Sequence, residues 1–219
     1  MMEENWEELY KNNKHHSIWP WSDLISEVKK LSFKIDAALE LGCGMGANIP
    51  FFLQEGIEYF GVDGSKTAIN SNQNRFPKIK DNLKTCDFTK EIPFDRKFQL
   101  IFDRASVTHN NATAINSCIE KISQIMPEGG HFIGIDWFSD KHADYQTGGT
   151  TEDGTKININ STQFQDTGTV HFFNKKEIFS LFEKNNFTVT KIEEKSIEDA
   201  LSATPRKRCS FNFIAVKNV

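Results

Sequence analysis

The stretch that decides the fold of this 219-residue chain is Ala38-Leu39-Glu40-Leu41-Gly42-Cys43-Gly44-Met45-Gly46-Ala47-Asn48. An apolar run that carries one acid leads into three glycines at alternate positions, and a helix-compatible segment follows at 48–54. Glycine reaches backbone angles that other residues avoid, and it leaves no side chain in the path of a ligand. A helix that begins beside such a turn directs free N–H groups at the ligand. The stretch therefore predicts a strand, a turn and a helix that bind a nucleotide-type cofactor.

The glycine pattern leaves two kinds of cofactor site open. A dinucleotide site carries G-x-G-x-x-G or a near variant, followed about 20 residues later by an acid for a ribose hydroxyl. Gly42, Gly44 and Ala47 fit a loosened form of that pattern, and Asp63 would be the acid. The other possibility is a site for S-adenosylmethionine, which has a different motif.

The second motif consists of an acid, any one residue and then G-x-G-x-G. Glu40 and the glycines at 42, 44 and 46 match it without a gap. On this motif the chain resembles the class I S-adenosylmethionine-dependent methyltransferases. Later segments resemble the family's next strands and loops in the family's order, namely Phe60–Ser65, Thr85–Phe88, Gln99–Arg104 and Pro127–Asp136. Motifs in order across 37–136 favour this interpretation over the dinucleotide one. The resemblance implies S-adenosylmethionine as cofactor and S-adenosylhomocysteine as product.

Strands and helices alternate in the hydrophobic pattern. Predicted strands cover 37–41, 58–62, 83–86, 98–103, 131–137, 187–193 and 209–216, and predicted helices cover 22–31, 48–54, 66–75, 112–125 and 174–185. Such alternation implies a mostly parallel sheet with helices on both faces. The resemblance adds a Rossmann-like α/β fold with seven strands and an antiparallel C-terminal hairpin. We expect one domain over 1–219, with an N-terminal lid and helix at 1–31 and a substrate-side loop insertion at 139–168.

The composition is typical of a soluble globular domain, with 38% apolar and 26% charged residues. The net charge of −4 gives no general attraction to nucleic acid or to an anionic membrane, so we expect neither as a partner. No apolar run is long enough to span a bilayer, and the N-terminus lacks a signal-peptide core. The four cysteines form no C-x-x-C pair. These features predict a cytoplasmic protein, and they leave its oligomeric state open.

The resemblance assigns roles at the cofactor site. Asp63 would accept hydrogen bonds from both ribose hydroxyls, and Asp87 would accept one from the adenine amino group, with Phe88 against the ring. Asp63 could instead cap the helix predicted from 66, and Asp87 could be a turn acid. The full set of predicted cofactor contacts is Glu40, Gly42, Cys43, Gly44, Gly46, Asn48, Asp63, Gly64, Ser65, Asp87, Phe88, Asp103, Arg104 and Trp19.

Methyl transfer to a hydroxyl needs an aligned nucleophile and a base that takes its proton. His109 follows the fourth predicted strand and is our leading general base, because histidine titrates near neutral pH. A polar loop residue is its alternative role. Asp136, at the end of the fifth strand, is a second candidate base or a metal ligand, but it has few acidic neighbours in the sequence, so we expect no metal. The 103–110 segment lacks the N-P-P-Y or D-P-P-Y motif of the family's amino-methylating DNA and RNA enzymes. Its absence argues against a nucleic-acid substrate.

The acceptor is expected to meet the N-terminal lid, the 139–168 insertion and a basic loop near 206. The predicted substrate contacts are His16, Tyr145, Arg206 and Arg208. The pattern H-x-x-W-P-W at 16–21 resembles bacterial methyltransferases of surface-polysaccharide clusters, and the basic residues suit an anionic or nucleotide-linked small molecule. We therefore predict O-methylation of a small polar or phosphate-bearing metabolite such as a capsular sugar or a phosphoramidate precursor. An RNA or protein methyltransferase and a non-catalytic cofactor-binding subunit are the alternatives.

Overall fold

The computed structural model of the chain describes residues 2–12, 17–161, 163–164, 166–203 and 206–219, the side chains of residues 2–4 excepted. The α-helices are α1 (Met2–Lys11), α2 (Ser22–Lys30), α3 (Ile49–Gln54), α4 (Lys66–Arg75), α5 (Ala112–Ile125) and α6 (Lys175–Lys184). The strands are β1 (Ala37–Leu41), β2 (Glu58–Asp63), β3 (Leu83–Thr85), β4 (Leu100–Arg104), β5 (His131–Phe138), β6 (Gly149–Thr150), β7 (Lys156–Ile157), β8 (Phe187–Ile197) and β9 (Arg208–Lys217). Short 3₁₀ turns lie at Pro77–Asn82, Val107–His109 and Ala143–Gln146.

Seven strands form one sheet in the order β3-β2-β1-β4-β5-β9-β8, and β6 pairs with β7 in a separate hairpin. The first five strands of that order are parallel, whereas β9 runs antiparallel to both β5 and β8. The predicted Rossmann-like fold, with its antiparallel C-terminal hairpin, is confirmed. The strand order reverses between β1 and β4, which is where open α/β sheets bind ligands beyond the carboxyl ends of their strands.

Both faces of the sheet are covered by helices. On one face the core includes Ile119 of α5 and Phe182 of α6, and on the other it includes Leu24 of α2 and Phe52 of α3. The central strands are buried on both faces, so they read as nearly continuous apolar runs. Within the described residues, no helix combines the length and the apolar character needed to cross a bilayer.

Two regions contain more structure than the sequence predicts. No helix is predicted before residue 22, whereas α1 is helical. The 139–168 insertion is predicted as a loop, but it contains a 3₁₀ turn and the β6–β7 hairpin. It also shares an apolar cluster with neighbouring segments, which includes Phe138, Phe164 and Phe172. These aromatic residues follow no regular period in the sequence, so hydrophobic periodicity does not detect the cluster.

Candidate active site

A cavity of about 810 Å³ lies at the carboxyl ends of the parallel strands, and its volume is in the range of small-molecule sites. Residues of α1, α2, the insertion and the β8–β9 hairpin complete its wall. Three groups of lining residues are named here: the glycine cradle (Gly42, Gly44, Asp63), the ring chamber (Trp6, His109, Phe138, His142, Phe164) and the charged rim (Asp23, Arg104, Asp136, Lys195, Arg208). The three groups line one continuous cavity.

The glycine cradle has no room for side chains at two of its positions. Gly42 has φ +68°, and a Cβ there would lie 2.2 Å from the Cβ of Ser106. Gly44 has φ +49°, and its Cβ would lie 2.7 Å from the Tyr10 hydroxyl. Because both residues are glycine, the backbone can turn sharply after β1 and Ser106 and Tyr10 can approach it closely.

Gly42→Ala is expected to destabilise the fold by about 3 kcal/mol or more, because left-handed strain adds to a clash with a fixed side chain. Ser106 cannot move aside easily, since its hydroxyl donates to the Leu41 carbonyl oxygen at 2.6 Å. Gly56→Ala is the matched control, because Gly56 has φ +69° but open space around its Cβ position. Urea unfolding of the two variants separates the clash from the backbone strain, and equal losses would contradict this account.

Asp63, the third residue of the glycine cradle, is the last residue of β2. Its two carboxylate oxygens accept from the backbone N–H groups of Gly44 and Ser65, each at 2.8 Å. Burial raises the pKa of Asp63 to about 6, against the opposing effect of these two donors. The cap of α4 is Ser65, whose hydroxyl accepts from the Ala68 N–H at 3.2 Å. Asp63 therefore does not serve as the helix cap and lines the cavity instead.

Glu40 orders the turn without reaching the cavity. It is 4% exposed and accepts from the Asn48 amide at 2.8 Å and from the Tyr59 hydroxyl. Asn48 in turn accepts from the Trp21 N–H at 3.2 Å, which ties the start of α2 to the turn. Burial raises the pKa of Glu40 to about 8, although both hydrogen bonds favour the carboxylate.

The raised pKa of Glu40 predicts a pH-dependent stability. An unfolded chain gives glutamate a pKa of about 4.3, so between that value and about 8 the folded state binds the proton more tightly and stability falls as pH rises. Asp63 and Asp103 have pKa values of about 6. Above about pH 6, the change in stability with pH is therefore attributed to Glu40. Relative to Glu40→Gln, the wild type should lose up to about 1.4 kcal/mol per pH unit there. Urea unfolding near pH 7 and pH 8 checks this, and parallel pH profiles would contradict it.

The adenine end of the predicted site lies after β3. Asp87 and Phe88 both line the cavity. The Asp87 carboxylate accepts from the Thr89 N–H at 3.0 Å and pairs with Lys90 at 2.7 Å. These bonds fix the carboxylate within the turn after β3. Asp87 is therefore a turn acid that also lines the cavity.

His109 lies in the ring chamber, in the short 3₁₀ turn after β4. Its ring centroid is 5.0 Å from that of Trp6 and 5.7 Å from that of Phe138, with near-perpendicular planes. The backbone around it is held by the segment before α6, because the His171 N–H donates to the Thr108 carbonyl oxygen at 2.7 Å. The histidine is 5% exposed and still lines the cavity, as a general base must.

Four residues of the charged rim, Asp23, Arg104, Asp136 and Lys195, form an ion-pair network. Asp136 pairs with Arg104 at 2.9 Å and with Lys195 at 2.7 Å, and Lys195 also contacts Asp23 at 2.6 Å. The Arg104 guanidinium lies 3.4 Å from the centre of the Trp21 ring. Both cations engage the Asp136 carboxylate, which gives this residue an ion-pairing role in the rim. His109 lies apart from this network, in the ring chamber.

Seven of the predicted cofactor contacts do not line the cavity. Asp103 is fully buried and accepts from the Val107 N–H and the Trp137 indole N–H, so it supports the loop after β4. Trp19 is 77% exposed, whereas Trp21 lines the cavity. The others lie beneath the turn or cap a helix: Glu40, Cys43, Gly46, Asn48 and Ser65. The predicted contacts that do line it are Gly42, Gly44, Asp63, Gly64, Asp87, Phe88 and Arg104.

Of the three predicted substrate contacts that the structure describes, Arg208 lines the cavity, whereas Tyr145 and Arg206 do not. Tyr145 packs on Phe172 with a ring-centroid distance of 5.6 Å, away from the cavity lining. Arg206 pairs instead with the buried carboxylate of Asp144. His16 belongs to the segment 13–16, which is outside the described residues.

The sequence interpretation missed several cavity residues. Trp6 and Tyr10 stand four positions apart on α1 and so share one helix face, a spacing that could have been noticed. Lys195 on β8, together with His142, Gln163 and Phe164 of the insertion, carries no motif. In the part of the chain that the structure describes, no group of three or more His, Cys, Asp or Glu side chains could hold a metal ion.

A family model described as a methyltransferase domain matches residues 4–192. The chain belongs to this family. A search of curated proteins gives no match. Among solved structures, the methyltransferase domain is similar to an S-adenosylmethionine-dependent methyltransferase from Clostridium acetobutylicum, at 15% identity, 91% coverage of both chains and a TM-score of 0.67.

Two further structures share this fold. An S-adenosylmethionine-dependent methyltransferase from Methanosarcina mazei is 18% identical, with coverage of 92% of this chain and 99% of that one and a TM-score of 0.68. An amino pentose methyltransferase from Micromonospora echinaspora, solved with S-adenosylmethionine bound, is 14% identical, with 90% and 89% coverage and a TM-score of 0.63. The family match confirms the predicted methyltransferase assignment, and the predicted cofactor is the one that these neighbours use.

Proposed function

We propose that this chain is an S-adenosylmethionine-dependent O-methyltransferase of the cytoplasm. Its acceptor is a small polar or phosphate-bearing metabolite, such as a capsular sugar or a phosphoramidate precursor. The observation that carries the proposal is the continuity of the cavity, which joins the glycine cradle to a histidine-containing ring chamber. A methyl donor and a hydroxyl acceptor bound in these two parts would share one cavity.

The cradle fits the cofactor. Gly42 and Gly44 line the cavity and have no side chains, so the backbone itself forms part of its floor. Asp63 would hold the ribose hydroxyls, since each carboxylate oxygen has lone pairs beyond the one used by a backbone N–H. Asp87 and Phe88 would hold the adenine. When bound, S-adenosylmethionine supplies an electrophilic methyl group on sulfur and leaves as S-adenosylhomocysteine.

The wall of the cavity supports a small acceptor. Trp6 of α1 and Phe164 of the insertion both line the chamber around His109, and Glu7 fastens α1 to the start of α4. The Glu7 carboxylate accepts from the Thr67 hydroxyl at 2.7 Å and from the Ser65 hydroxyl at 2.5 Å. A folded nucleic acid or protein surface would have to displace these elements, whereas a metabolite would not.

His109 would act on the acceptor hydroxyl. Its imidazole takes the proton as the oxygen gains the methyl group, so that no free oxyanion has to form. The charged rim offers Lys195 and Arg208 to a phosphate or another anion on the acceptor.

The test is a turnover assay with S-adenosylmethionine and a panel of sugars, sugar phosphates and their amino-sugar analogues. We expect S-adenosylhomocysteine to form with a hydroxyl acceptor and the methyl group to be found on oxygen. Methylation of only the amino sugars would contradict the oxygen assignment. Cofactor binding without turnover on the whole panel would favour a non-catalytic subunit.

A further inference from the structure

His142 fixes the orientation of an amide in the cavity. Its Nδ1 atom accepts from the Asp144 N–H at 3.1 Å, so the ring proton of the neutral imidazole is on Nε2. That Nε2 atom lies 3.3 Å from Oε1 of Gln163. Burial lowers the pKa of His142, which favours this neutral form. The Gln163 carbonyl therefore faces His142, and its NH₂ group is turned to the other side.

The side chain of Gln163 lines the cavity. Within the described residues its NH₂ group has no hydrogen-bond partner, although Oε1 is bonded to His142. The Gln163 amide is thus held in one orientation by His142, and its two N–H groups are available to a ligand in the cavity.

Arg208 brings a positive charge to the same region. It lines the cavity, and its charge acts on His142. No ion pair forms with Arg208 in the described part of the chain, in contrast to Arg206, which is paired with Asp144. Near His142 the cavity therefore presents an amide donor and a guanidinium donor, and the neighbouring Asp144 carboxylate is already paired with Arg206.

We propose that Gln163 and Arg208 form an oxyanion subsite that holds a phosphate or carboxylate group of the methyl acceptor, with His142 as the positioning residue for Gln163. The proposal rests on the proposed function, because the anion is taken to belong to the acceptor. Guanidinium and amide N–H groups donate without accepting, which suits the oxygen atoms of an anion. The substrate class is then an anionic hydroxy compound whose charged group binds beside the insertion.

The experiment is a calorimetric titration of the full chain with inorganic phosphate and, separately, with acetate, each with and without S-adenosylhomocysteine. Wild type is expected to bind at least one of the two probes. Gln163→Glu, which has the same shape but adds a negative charge, should weaken that binding at least about tenfold, as expected for loss of a charge-assisted bond. Asn160→Asp is the matched control, because it adds the same charge to the insertion at an exposed residue outside the cavity.

A second variant tests the positioning role. His142→Asn can still accept from the Asp144 N–H but cannot reach Gln163, and it should weaken probe binding while leaving S-adenosylhomocysteine binding unchanged. Equal probe affinity in wild type and Gln163→Glu, or no probe binding by wild type, would overturn the subsite. Failure of the proposed function would show differently, as absent S-adenosylhomocysteine binding or absent turnover.

Discussion

Replacement of His109 by glutamine should lower kcat for methyl transfer by about 10²- to 10⁴-fold, the usual contribution of a general base. Glutamine keeps a polar side chain of similar size but cannot take the acceptor proton. S-adenosylhomocysteine affinity should stay close to the wild-type value, because His109 lies in the ring chamber and not in the glycine cradle. Single-turnover kinetics and calorimetry on the same preparation check both parts.

His131→Gln is the control for this substitution. His131 begins β5, at the opposite end of the strand from Asp136, and its ring Nδ1 lies 2.8 Å from the Gly129 carbonyl oxygen. That variant should keep full activity. If His109→Gln retained wild-type kcat across the pH range, another group would have to accept the proton, and the assignment of the base would be wrong.

Asp63→Asn should weaken S-adenosylhomocysteine binding by at least about 100-fold, because two hydrogen bonds from ribose hydroxyls to a charged carboxylate are each worth about 1.5–3 kcal/mol. The amide oxygen can still accept from one backbone N–H, so the fold should persist. Asp36→Asn is the control, since that carboxylate pairs with Lys34 at the surface and lies just before β1. Unchanged affinity in Asp63→Asn would contradict the assigned ribose contact.

The same carboxylate predicts a pH dependence of cofactor binding. Burial raises the pKa of ligand-free Asp63 to about 6, and ribose hydroxyls donate more strongly to the ionised form. The affinity for S-adenosylhomocysteine should therefore fall as pH drops through about 6 and level off above it. Calorimetric titrations on either side of that pH check this, and Asp63→Asn should show a flatter profile.

The part of the cavity lining around the glycine cradle could be predicted, because each of its parts lies at a strand end in a recognisable local pattern. Gly42, Gly44, Asp63, Asp87 and Phe88 all line the cavity as expected. The strands themselves were predictable, because buried parallel strands read as short apolar runs between helical segments.

The acceptor half could not be predicted in the same way, because it is assembled from parts far apart in the chain. Trp6 comes from α1, Phe164 from the insertion and Lys195 from β8, and tertiary contacts bring them together. Single residues were also misjudged where tertiary bonds decide their direction. Asp103 turns inward to the Trp137 indole, and Trp19 points to solvent while Trp21 meets Arg104.

The most direct measurement of the central claim is a pair of calorimetric titrations of the wild-type chain, one with S-adenosylhomocysteine and one with NADH. The glycine cradle and Asp63 predict that S-adenosylhomocysteine binds at one site per chain and that NADH gives no binding heat. Binding of NADH without binding of S-adenosylhomocysteine would contradict the methyltransferase account and favour a dinucleotide site.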